Sequence, residues 1–479
     1  MQLHHVNVYD GGMHFGLGVP FLISHALSRE KLRDSVNFEQ IDWFLKVPGE
    51  RNPQVEEIAS KVIQSNPLLA GFSLQPWSYN LFISAIKIIK ESSPGIFIAV
   101  GGPNAVLLTS KLMKEVPQID FLFTGEGEIP FGDLIEVLLE NKKKKDYSQV
   151  RGGMLWREGK NVIGKKNFKP PEGLLDYCGS PATEGLIRLP AGGNLSFEWT
   201  RGCPNRCSYC SWSRKRHAMR RFSPEYIRRD ILWAIEKNYD KIMICDSALN
   251  YSDILLEDLC NIIINSDSEG KISFSGFVQY YLLTLEQVRI LEKVRWLRLM
   301  TGLQTDDNEG LKILGRPPFD KSQFESAIEL LKKISIPYVD IMTGVPGDTP
   351  NKIKKRVEYL LGLGCKVSMF PLLATPGTTI WNNRKKFGLL VDPEYQYVVK
   401  ETATMKFDDY RRTIQEIVSM GVSKNLLEIS GYDFMDIGGE GKKVVSDGNG
   451  VFPDDKREKI ELLLKDFKNL SREVEIEKG

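Results

Sequence analysis

The sequence predicts an α/β protein in which a doubly wound parallel sheet is followed by a partial barrel and a helical C-terminal extension. Two series of alternating strand and helix patterns support this prediction, one in the first 140 or so residues and one beginning at Asn194. Strand–helix–strand alternation implies parallel pairing with right-handed crossovers. The third observation is the switch to helical periodicity beyond about Pro393.

The first series predicts a sheet with helices on both faces. Its strands are HHVNVYD, FEQIDWF, LLAGFSL, IFIAVGG and FLFTGEG, and its helices lie near 19–29, 53–65, 81–90, 109–115 and 131–140. Glycines cluster just past two strand ends, at Gly101 and Gly102 and in the run Gly125-Glu126-Gly127-Glu128. Ligands of open α/β sheets bind at this carboxyl edge, so we expect a binding site there.

The next segment predicts a hairpin and a linker. GGMLWREGKNVIG has apolar runs on either side of Glu158-Gly159, which is typical of a β-hairpin, and four prolines fall within 167–190. We therefore expect a domain at 1–150, the hairpin and linker at 151–193, a barrel at 194–392 and a mostly helical C-terminal domain at 393–479.

The second series predicts a partial (βα)6 barrel. Its strands are LSFEWT, KIMICD, ISFSGFVQY, LRLMTGLQT, PYVDIMTGV and KVSMFPLLA, and its helices lie near 224–237, 251–265, 285–294, 321–334 and 352–363. Six units are too few to close the eight-stranded barrel of this pattern. The C-terminal region adds a loop with six glycines between Gly431 and Gly450 and an amphipathic helix near 454–470.

Composition excludes several classes. The 479 residues are 42% hydrophobic and 26% charged with a net charge of +2, so no global field favours nucleic acid or an anionic membrane. The start MQLHHVNVYD lacks the features of a signal peptide, and no apolar run is long enough to span a bilayer. We expect a cytoplasmic protein with neither nucleic acid nor membrane as partner, in which the seven cysteines are buried, metal-binding or catalytic rather than disulfide-bonded.

Cys203, Cys207 and Cys210 form a CxxxCxxC arrangement directly after a predicted strand. Three thiolates on one loop can ligate three irons of a cubane cluster and leave the fourth iron open to a substrate. The alternative is structural zinc, which needs a fourth ligand, and His217 is available for it. The three-residue gap between the first two cysteines favours the cluster, because zinc knuckles usually pair CxxC units.

The loop TRGCPNRCSYC resembles the signature of the radical S-adenosylmethionine (SAM) superfamily. The resemblance implies a [4Fe-4S] cluster on the three cysteines, with the amino and carboxylate groups of SAM on the open iron. It also implies that Tyr209 packs near the adenine. In that family the reduced cluster cleaves SAM to a 5'-deoxyadenosyl radical, which takes a hydrogen atom from the substrate. An electron donor such as flavodoxin or ferredoxin is implied.

Further segments resemble the same family along the barrel. CDSALN at 245–250 corresponds to the family's polar segment after the second strand, which binds the amine of the methionine part of SAM. Its sequence departs from the commoner Gly-Gly-Glu form. Asp246 can accept hydrogen bonds from an ammonium group, and Asn250 belongs to the same segment. Other SAM contacts are implied for Gln304 in GLQT and for Gly344 and Pro346 in GVPGDT. ATPGT at 374–378 matches the sixth-strand turn.

The N-terminal region resembles the Rossmann-like or flavodoxin-like cobalamin-binding domain of class B radical SAM methyltransferases. The implied cobalamin contacts are Ser73, Gly101, Gly102, Gly125, Glu126 and Gly127. The DxHxxG motif that supplies an axial histidine elsewhere is absent, because Asp10, His14 and Gly16 have the wrong spacing. The alternative is a domain that keeps the fold and has lost the cofactor, as in some related enzymes of aminoglycoside deoxygenation.

Other residues near the cysteine loop have two interpretations. The five arginine and lysine residues Arg214, Lys215, Arg216, Arg220 and Arg221 either hold an anionic substrate or electron donor, or form solvated turns of the next helix. Trp199 and Trp212 are expected to be buried around the cofactor, and Cys178 is expected to be a passive thiol.

Three functions are consistent with these patterns. The first is C-methylation of an unactivated carbon in a natural-product, peptide or other specialised substrate, with methylcobalamin as methyl donor. The second keeps the radical without the methyl group and carries out dehydration, epimerisation, cyclisation or ring contraction, with or without cobalamin. The third is an iron-sulfur or electron-transfer protein without turnover. In the first, the cofactors would supply the bond-breaking power and the protein would position the reactive atoms.

Overall fold

The computed structural model of the chain describes residues 1–8, 16–45, 51–141, 144–165, 173–187, 195–211, 219–393, 396–421 and 427–429. The strands are β1 (Gln2–Val8), β2 (Glu39–Leu45), β3 (Leu69–Ser73), β4 (Phe97–Gly101), β5 (Phe121–Phe123), β6 (Met154–Glu158), β7 (Asn161–Gly164), β8 (Leu195–Phe197), β9 (Thr200–Arg201), β10 (Arg220–Arg221), β11 (Lys241–Ile244), β12 (Ser273–Phe277), β13 (Trp296–Gln304), β14 (Pro337–Thr343), β15 (Lys366–Pro371), β16 (Leu390–Asp392), β17 (Val398–Glu401) and β18 (Leu427–Ile429).

The α-helices are α1 (Gly18–Leu27), α2 (Glu30–Ser35), α3 (Val55–Ser65), α4 (Tyr79–Ser92), α5 (Pro103–Glu115), α6 (Glu128–Leu139), α7 (Pro224–Glu236), α8 (Asp253–Ser266), α9 (Leu285–Leu291), α10 (Asn308–Leu314), α11 (Lys321–Lys332), α12 (Pro350–Gly362), α13 (Thr379–Asn382) and α14 (Phe407–Gly421). Short 3-10 helices cover Tyr147–Gln149, Asp176–Cys178 and Tyr280–Leu282.

The first sheet has the order β2-β1-β3-β4-β5-β6-β7, and its first five strands run parallel. The order 2-1-3-4-5 is that of flavodoxin-like doubly wound folds, whose ligands bind where the strand order reverses, here between β1 and β3. One face packs against α3, α4 and α5 through residues such as Ile58 and Phe82. The other face packs against α1, α2 and α6 through residues such as Ile23 and Leu134. Helices therefore cover both faces, which confirms the predicted class.

The predicted hairpin belongs to this sheet. β6 pairs antiparallel with β5, and β7 pairs antiparallel with β6. Pairing covers the backbone groups that β5 would otherwise leave open at the sheet edge. The sheet therefore continues to Gly164, beyond the segment 1–150 that the sequence analysis assigned to it.

The second sheet is an open barrel wall with the order β18-β15-β14-β13-β12-β11-β8, and all of its neighbouring strands run parallel. Its helix-facing side holds the largest core cluster, which includes Ile244, Leu299 and Val339. All six predicted strands are present. The seventh, β18, was not predicted, because three residues carry too little pattern and its place depends on pairing with β15.

Several helices differ from their predictions, and α2 and α13 are among those that were not predicted. α5 begins at Pro103, six residues before the predicted start, because proline suits the first helical position. Its backbone departs from helical geometry at Thr109, with φ 42° and ψ −120°. α10 was not predicted because its seven residues are too few to show helical periodicity.

None of the described helices is both long and apolar enough to cross a lipid bilayer. Several predictions fall outside the described residues and are not tested by them: those on Asp10 and His14, on Arg214, Lys215, Arg216 and Trp212, on the zinc alternative with His217, and on the glycine-rich loop and helix beyond 430.

Candidate functional site

The cysteine loop starts and ends in a two-stranded ribbon. β9 pairs antiparallel with β10, so that Arg201 lies opposite Arg220 and Thr200 opposite Arg221. Cys203, Cys207 and Cys210 follow β9 within nine residues. The ribbon thus fixes both ends of the chain excursion that carries the three cysteines.

The middle of the loop is held by two neighbouring segments. The Ser208 amide donates to the Leu314 carbonyl at 2.8 Å, and the Ile380 amide donates to the Ser208 carbonyl at 3.0 Å. Gly315 has φ +70°, and a Cβ there would lie 2.7 Å from the Arg206 carbonyl oxygen. Only glycine permits this close approach without strain.

The thiols are available as ligands. All seven cysteines of the chain are free of disulfides; Cys207 is buried, and Cys203 and Cys210 are partly exposed. The partly buried Arg316 places Nη1 3.8 Å from the Cys207 sulfur, so a guanidinium lies beside this thiol. Burial, together with the charge of Cys207, raises the pKa of Tyr209, so its hydroxyl stays protonated.

This donor set fits an iron-sulfur cluster. Three thiols outside any disulfide on one short loop, one of them beside a guanidinium, match the ligands that such clusters use. Within the described ranges, no three His, Cys, Asp or Glu side chains converge on a position for a single metal ion. Ligands that each bind a different iron do not need to converge on one point.

Asp246 and Asn250 lie deep inside the protein. Asp246 Oδ1 accepts hydrogen bonds from the amides of Trp199 and Thr200, both at 2.9 Å, and burial raises its pKa to about 7. Asn250 Oδ1 accepts from the Gln279 amide at 2.8 Å, and its Nδ2 donates to the Gln279 carbonyl at 3.1 Å. Both side chains therefore fix the backbone that leads into the site. Their predicted contact with SAM stays a prediction.

The other predicted SAM contacts lie at the carboxyl edge of the same sheet. Gln304 ends β13 with φ +68°, a left-handed conformation that non-glycine residues rarely adopt. Gly344 follows β14 with φ +77°, and Pro346 is buried in the turn before α12. Asp348 fixes this turn by accepting from the Val345 amide at 3.1 Å.

The turn before α12 rests on a buried ion pair. Asp348 Oδ1 lies 3.0 Å from Arg356 Nη2, and neither side chain is more than 1% exposed. Arg356 Nε also pairs with Asp306 at 2.7 Å. The ATPGT turn contacts the first region, because a Cβ at Gly377 would lie 2.8 Å from the Leu107 carbonyl oxygen of α5.

A cavity of about 380 Å³ joins the two sheets. It is lined by all six residues that the sequence analysis proposed for cobalamin, namely Ser73, Gly101, Gly102, Gly125, Glu126 and Gly127. Gly202 and Ser211, which flank the three cysteines, line it from the barrel, as does Ser247. Gly102 has φ +86°, and a Cβ there would meet the Leu74 carbonyl oxygen at 2.8 Å. Packing between the regions therefore brings the glycine loops beside the cysteine loop.

The polar end of the cavity is a network of charges. Arg201 pairs with Glu128 at 2.8 Å, with Glu198 at 2.7 Å and with Glu126 at 3.4 Å. Arg220 forms an ion pair with Glu126. Burial raises the pKa of Glu198 against the opposing effect of Arg201.

These contacts correct one interpretation from the sequence. Arg220 is 8% exposed in β10, and Arg221 pairs with Asp258 at 3.0 Å, so neither is part of a solvated helical turn. Trp199 is buried as expected, and its indole donates to Asp230 at 3.1 Å. Cys178 is also buried, which raises the pKa of its thiol and agrees with a passive role.

Four charged residues at this site were not predicted: Glu128 as an ion-pair partner, Glu198, Arg201 and Arg316. Glu198 and Arg201 flank the cysteine motif, so a search for charges next to it could have found them. Arg316 lies 109 residues from the cysteine that it contacts, and no local pattern indicates it.

Comparisons with known proteins follow the same two regions. The model of the radical SAM superfamily matches residues 197–360, and that of the B12 binding domain matches 31–135. The chain is 22% identical to the cobalamin-dependent radical SAM methyltransferase TokK of Streptomyces tokunonensis, over 86% of this chain and 61% of that protein. It is 23% identical to the 2-(S-pantetheinyl)-carbapenam-3-carboxylate methyltransferase of Streptantibioticus cattleyicolor, over 76% and 55%.

Solved structures share the fold. OxsB, a cobalamin-dependent SAM radical enzyme solved with aqua-cobalamin and SAM bound, superimposes with a TM-score of 0.63 at 16% identity, over 99% of this chain and 80% of that one. The radical SAM methyltransferase TsrM of Kitasatospora setae superimposes with a TM-score of 0.62 at 16% identity, over 81% and 76%. With both family models matched and three thiols outside any disulfide on the signature loop, residues 197–360 form a radical SAM domain and residues 31–135 a B12 binding domain.

Proposed function

We propose that this protein is a cobalamin-dependent radical SAM methyltransferase that methylates an unactivated carbon of a specialised substrate. The observation that supports this most strongly is the cavity of about 380 Å³, because it is lined both by the glycine loops of the first sheet and by the residues flanking the cysteines. A methyl donor held by the first sheet would there adjoin the site of radical formation. The chain spans 61% and 55% of the two methyltransferases compared above.

The cofactors would supply the chemistry: SAM at the cluster provides a 5'-deoxyadenosyl radical, and cobalamin carries the methyl group. The chain would supply position. Cys203, Cys207 and Cys210 would hold the cluster, and Arg316 would balance the charge at Cys207. The hydrogen bonds of Ser208 to two flanking segments keep the loop rigid, which favours a fixed reaction geometry.

Cofactor contacts extend this proposal to the residues predicted from the sequence. For SAM these are Tyr209, Asp246, Asn250, Gln304, Gly344 and Pro346, and for cobalamin they are Ser73, Gly101, Gly102, Gly125, Glu126 and Gly127. The proposed division of the chain is a cobalamin-binding region at 1–150, a hairpin and linker at 151–193, the radical SAM barrel at 194–392 and a C-terminal region at 393–479.

The substrate would enter the concave side of the barrel wall. Val339 and Ile341 pack against the helices, so alternation along β14 turns Tyr338, Asp340 and Met342 to the concave side. Burial raises the pKa of Asp340 to about 7. Hydrogen-bonding groups on this wall suit a polar small molecule or peptide, and the relatives TokK and the carbapenam-carboxylate enzyme favour a natural product. A flavodoxin or ferredoxin would deliver the electron.

Anaerobic reconstitution of the full chain with iron, sulfide and hydroxocobalamin tests the proposal. The expected results are a corrin absorption band that survives desalting and, with SAM and a reductant, release of 5'-deoxyadenosine. The variant Cys203→Ala should lose SAM cleavage and keep the corrin band, since Cys203 lies outside the residues that line the cavity. Retained cleavage in this variant would contradict the assignment of the cluster.

Methyl-labelled SAM separates methylation from the other radical outcomes. Methylation predicts labelled product together with S-adenosylhomocysteine. Turnover that consumes substrate and yields 5'-deoxyadenosine without label in the product would favour dehydration, epimerisation, cyclisation or ring contraction. A loaded enzyme that never releases 5'-deoxyadenosine with any natural-product candidate would favour the electron-transfer alternative.

A further inference from the structure

A glutamate of the first region contacts both strands at the base of the cysteine loop. Glu126 Oε2 lies 3.4 Å from Arg201 Nη1 in β9. Glu126 Oε1 forms an ion pair with Arg220 Nη2 in β10. Arg201 and Arg220 are cross-strand neighbours in the ribbon, so one carboxylate joins the two ends of the loop that carries Cys203, Cys207 and Cys210.

The three charged side chains at the base of the cysteine loop stabilise one another by ion pairing. The side chains of Arg201 and Arg220 are 10% and 7% exposed, and that of Glu126 is 20% exposed. Like charges directly opposite in paired strands repel, and a buried cation that loses its partner is costly. Arg201 has further carboxylate partners in Glu128 and Glu198, whereas Glu126 is the carboxylate that pairs with both arginines at once, so it stabilises their approach across the ribbon.

Further contacts direct the same carboxylate toward this position. The Tyr177 hydroxyl donates to Glu126 Oε2 at 3.1 Å. Arg201 is also neutralised by Glu128 of α6 at 2.8 Å and lies over the Phe21 ring at 5.0 Å. The ion pairs between the first region and the ribbon thus converge on Glu126 and Glu128, in the segment 125–128.

The loop 125–128 also lines the cavity. Gly125, Glu126 and Gly127 all face it, together with Arg201 and Arg220. An occupant of the cavity therefore borders the ion pairs that hold the ribbon. If this occupant limits the movement of residues 125–128, it also fixes the position of the Glu126 side chain.

We propose that Glu126 is a positioning residue that couples corrin binding in the cavity to the cysteine loop; this inference rests on the proposed function. A corrin bound in the cavity favours the arrangement in which Glu126 pairs with both arginines. A cluster assembled on the three cysteines favours the same arrangement, because it orders the loop that the two arginines begin and end. Because coupling between two binding sites is reciprocal, the cluster raises the affinity for the corrin by the factor by which the corrin stabilises the cluster loop.

Titration of the full chain with hydroxocobalamin, followed by visible absorbance, measures this coupling. The dissociation constant is determined for the protein with the cluster assembled and for the same protein prepared without iron and sulfide. We expect the cluster-loaded form to bind at least about fivefold more tightly, the lower end of couplings between linked sites. In Glu126→Gln the ratio of the two constants should fall to about one.

The matched control is Glu136→Gln. Glu136 pairs with Arg29 at 2.9 Å and lies on the same helix, α6, but it is not among the residues that line the cavity or contact the ribbon. This variant should keep the wild-type ratio. A ratio of one in Glu136→Gln would show that any lost carboxylate abolishes the effect, and it would overturn the role of Glu126.

A double variant separates coupling from general destabilisation. Glu126→Gln leaves the two arginines facing each other, whereas Glu126→Gln with Arg220→Gln removes one of the repelling charges. The double variant should recover the unfolding midpoint and iron content of the wild type, while its ratio stays near one. Recovery of the wild-type ratio would overturn the proposal, as would an unchanged ratio in Glu126→Gln.

The two proposals fail in different ways. If the wild-type protein binds no corrin in either form, the proposed function is wrong and this inference falls with it. If it binds the corrin with equal affinity in both forms, only the coupling is wrong.

Discussion

Replacement of Gly315 by alanine tests whether the cysteine loop depends on close backbone packing. Gly315 caps α10 with φ +70°, and a Cβ would lie 2.7 Å from the Arg206 carbonyl oxygen, inside the cysteine loop. A left-handed conformation costs an alanine about 1–2 kcal/mol. Because the contacted atom belongs to the backbone, the loop itself must move, which adds about 1–3 kcal/mol of overpacking cost.

Gly270→Ala is the matched control for this experiment. Gly270 has φ +62°, and no atom lies within 4 Å of the position of its Cβ, so alanine pays only the conformational cost there. Urea denaturation should therefore show both variants destabilised, with Gly315→Ala losing about 1–3 kcal/mol more than the control.

The functional consequence appears in cluster assembly. After anaerobic reconstitution, Gly315→Ala should bind clearly less iron per chain and release less 5'-deoxyadenosine than Gly270→Ala, which should match the wild type. Equal iron content and equal stability in the two variants would refute the argument that the α10 end positions the cysteine loop.

Three further predictions concern the cavity, the turn before α12 and the core. Gly102→Ala should retain less corrin after desalting than Gly173→Ala. Both glycines have positive φ, but of the two only Gly102 would place a Cβ against a carbonyl oxygen, at 2.8 Å. Equal retention would contradict the proposed cobalamin site. Arg356→Met should lose about 3–5 kcal/mol in urea denaturation, because it leaves Asp348 buried without its cation; a loss under 1 kcal/mol would contradict this. Burial raises the pKa of Asp230 to about 7, so the free energy of unfolding should fall as pH rises from about 4 to 7. Asp230→Asn should reduce this dependence of stability on pH in denaturation experiments. An unchanged dependence would count against the raised pKa.

The sign for Asp230 follows from proton binding. With a pKa of about 7 in the folded state and an ordinary value near 4 when unfolded, the folded state binds the extra proton across this interval. Stability falls with pH wherever the folded state binds more protons. Its hydrogen-bond donors, the Trp199 indole and the Ser180 hydroxyl, do not supply a compensating positive charge.

The strands and most helices could be predicted because their signals are local. KIMICD predicted a strand over 241–246, and the structure has it at Lys241–Ile244. The cysteine motif was equally evident, since its three thiols lie on one loop. β18 could not be predicted, because its three residues become a strand only by pairing with β15.

Asp246 illustrates why residue roles are harder to predict than elements. The sequence marks a carboxylate at a strand end and leaves open which groups it faces. In the structure two backbone amides of the segment before the cysteines donate to Asp246, 46 or 47 residues away along the chain. Burial and hydrogen-bond partners depend on these remote segments, which no short pattern encodes.

The amino-acid sequence by itself determined the order of the strands and helices and the chemistry of the ligand set, because neighbours along the chain set hydrophobic periodicity and the spacing of Cys203, Cys207 and Cys210. Only the tertiary structure decided that Glu126 meets Arg201 and Arg220, and that the glycine loops share one cavity with the cysteine loop. The physical reason is that ion pairing and cavity shape arise where segments more than 70 residues apart pack together.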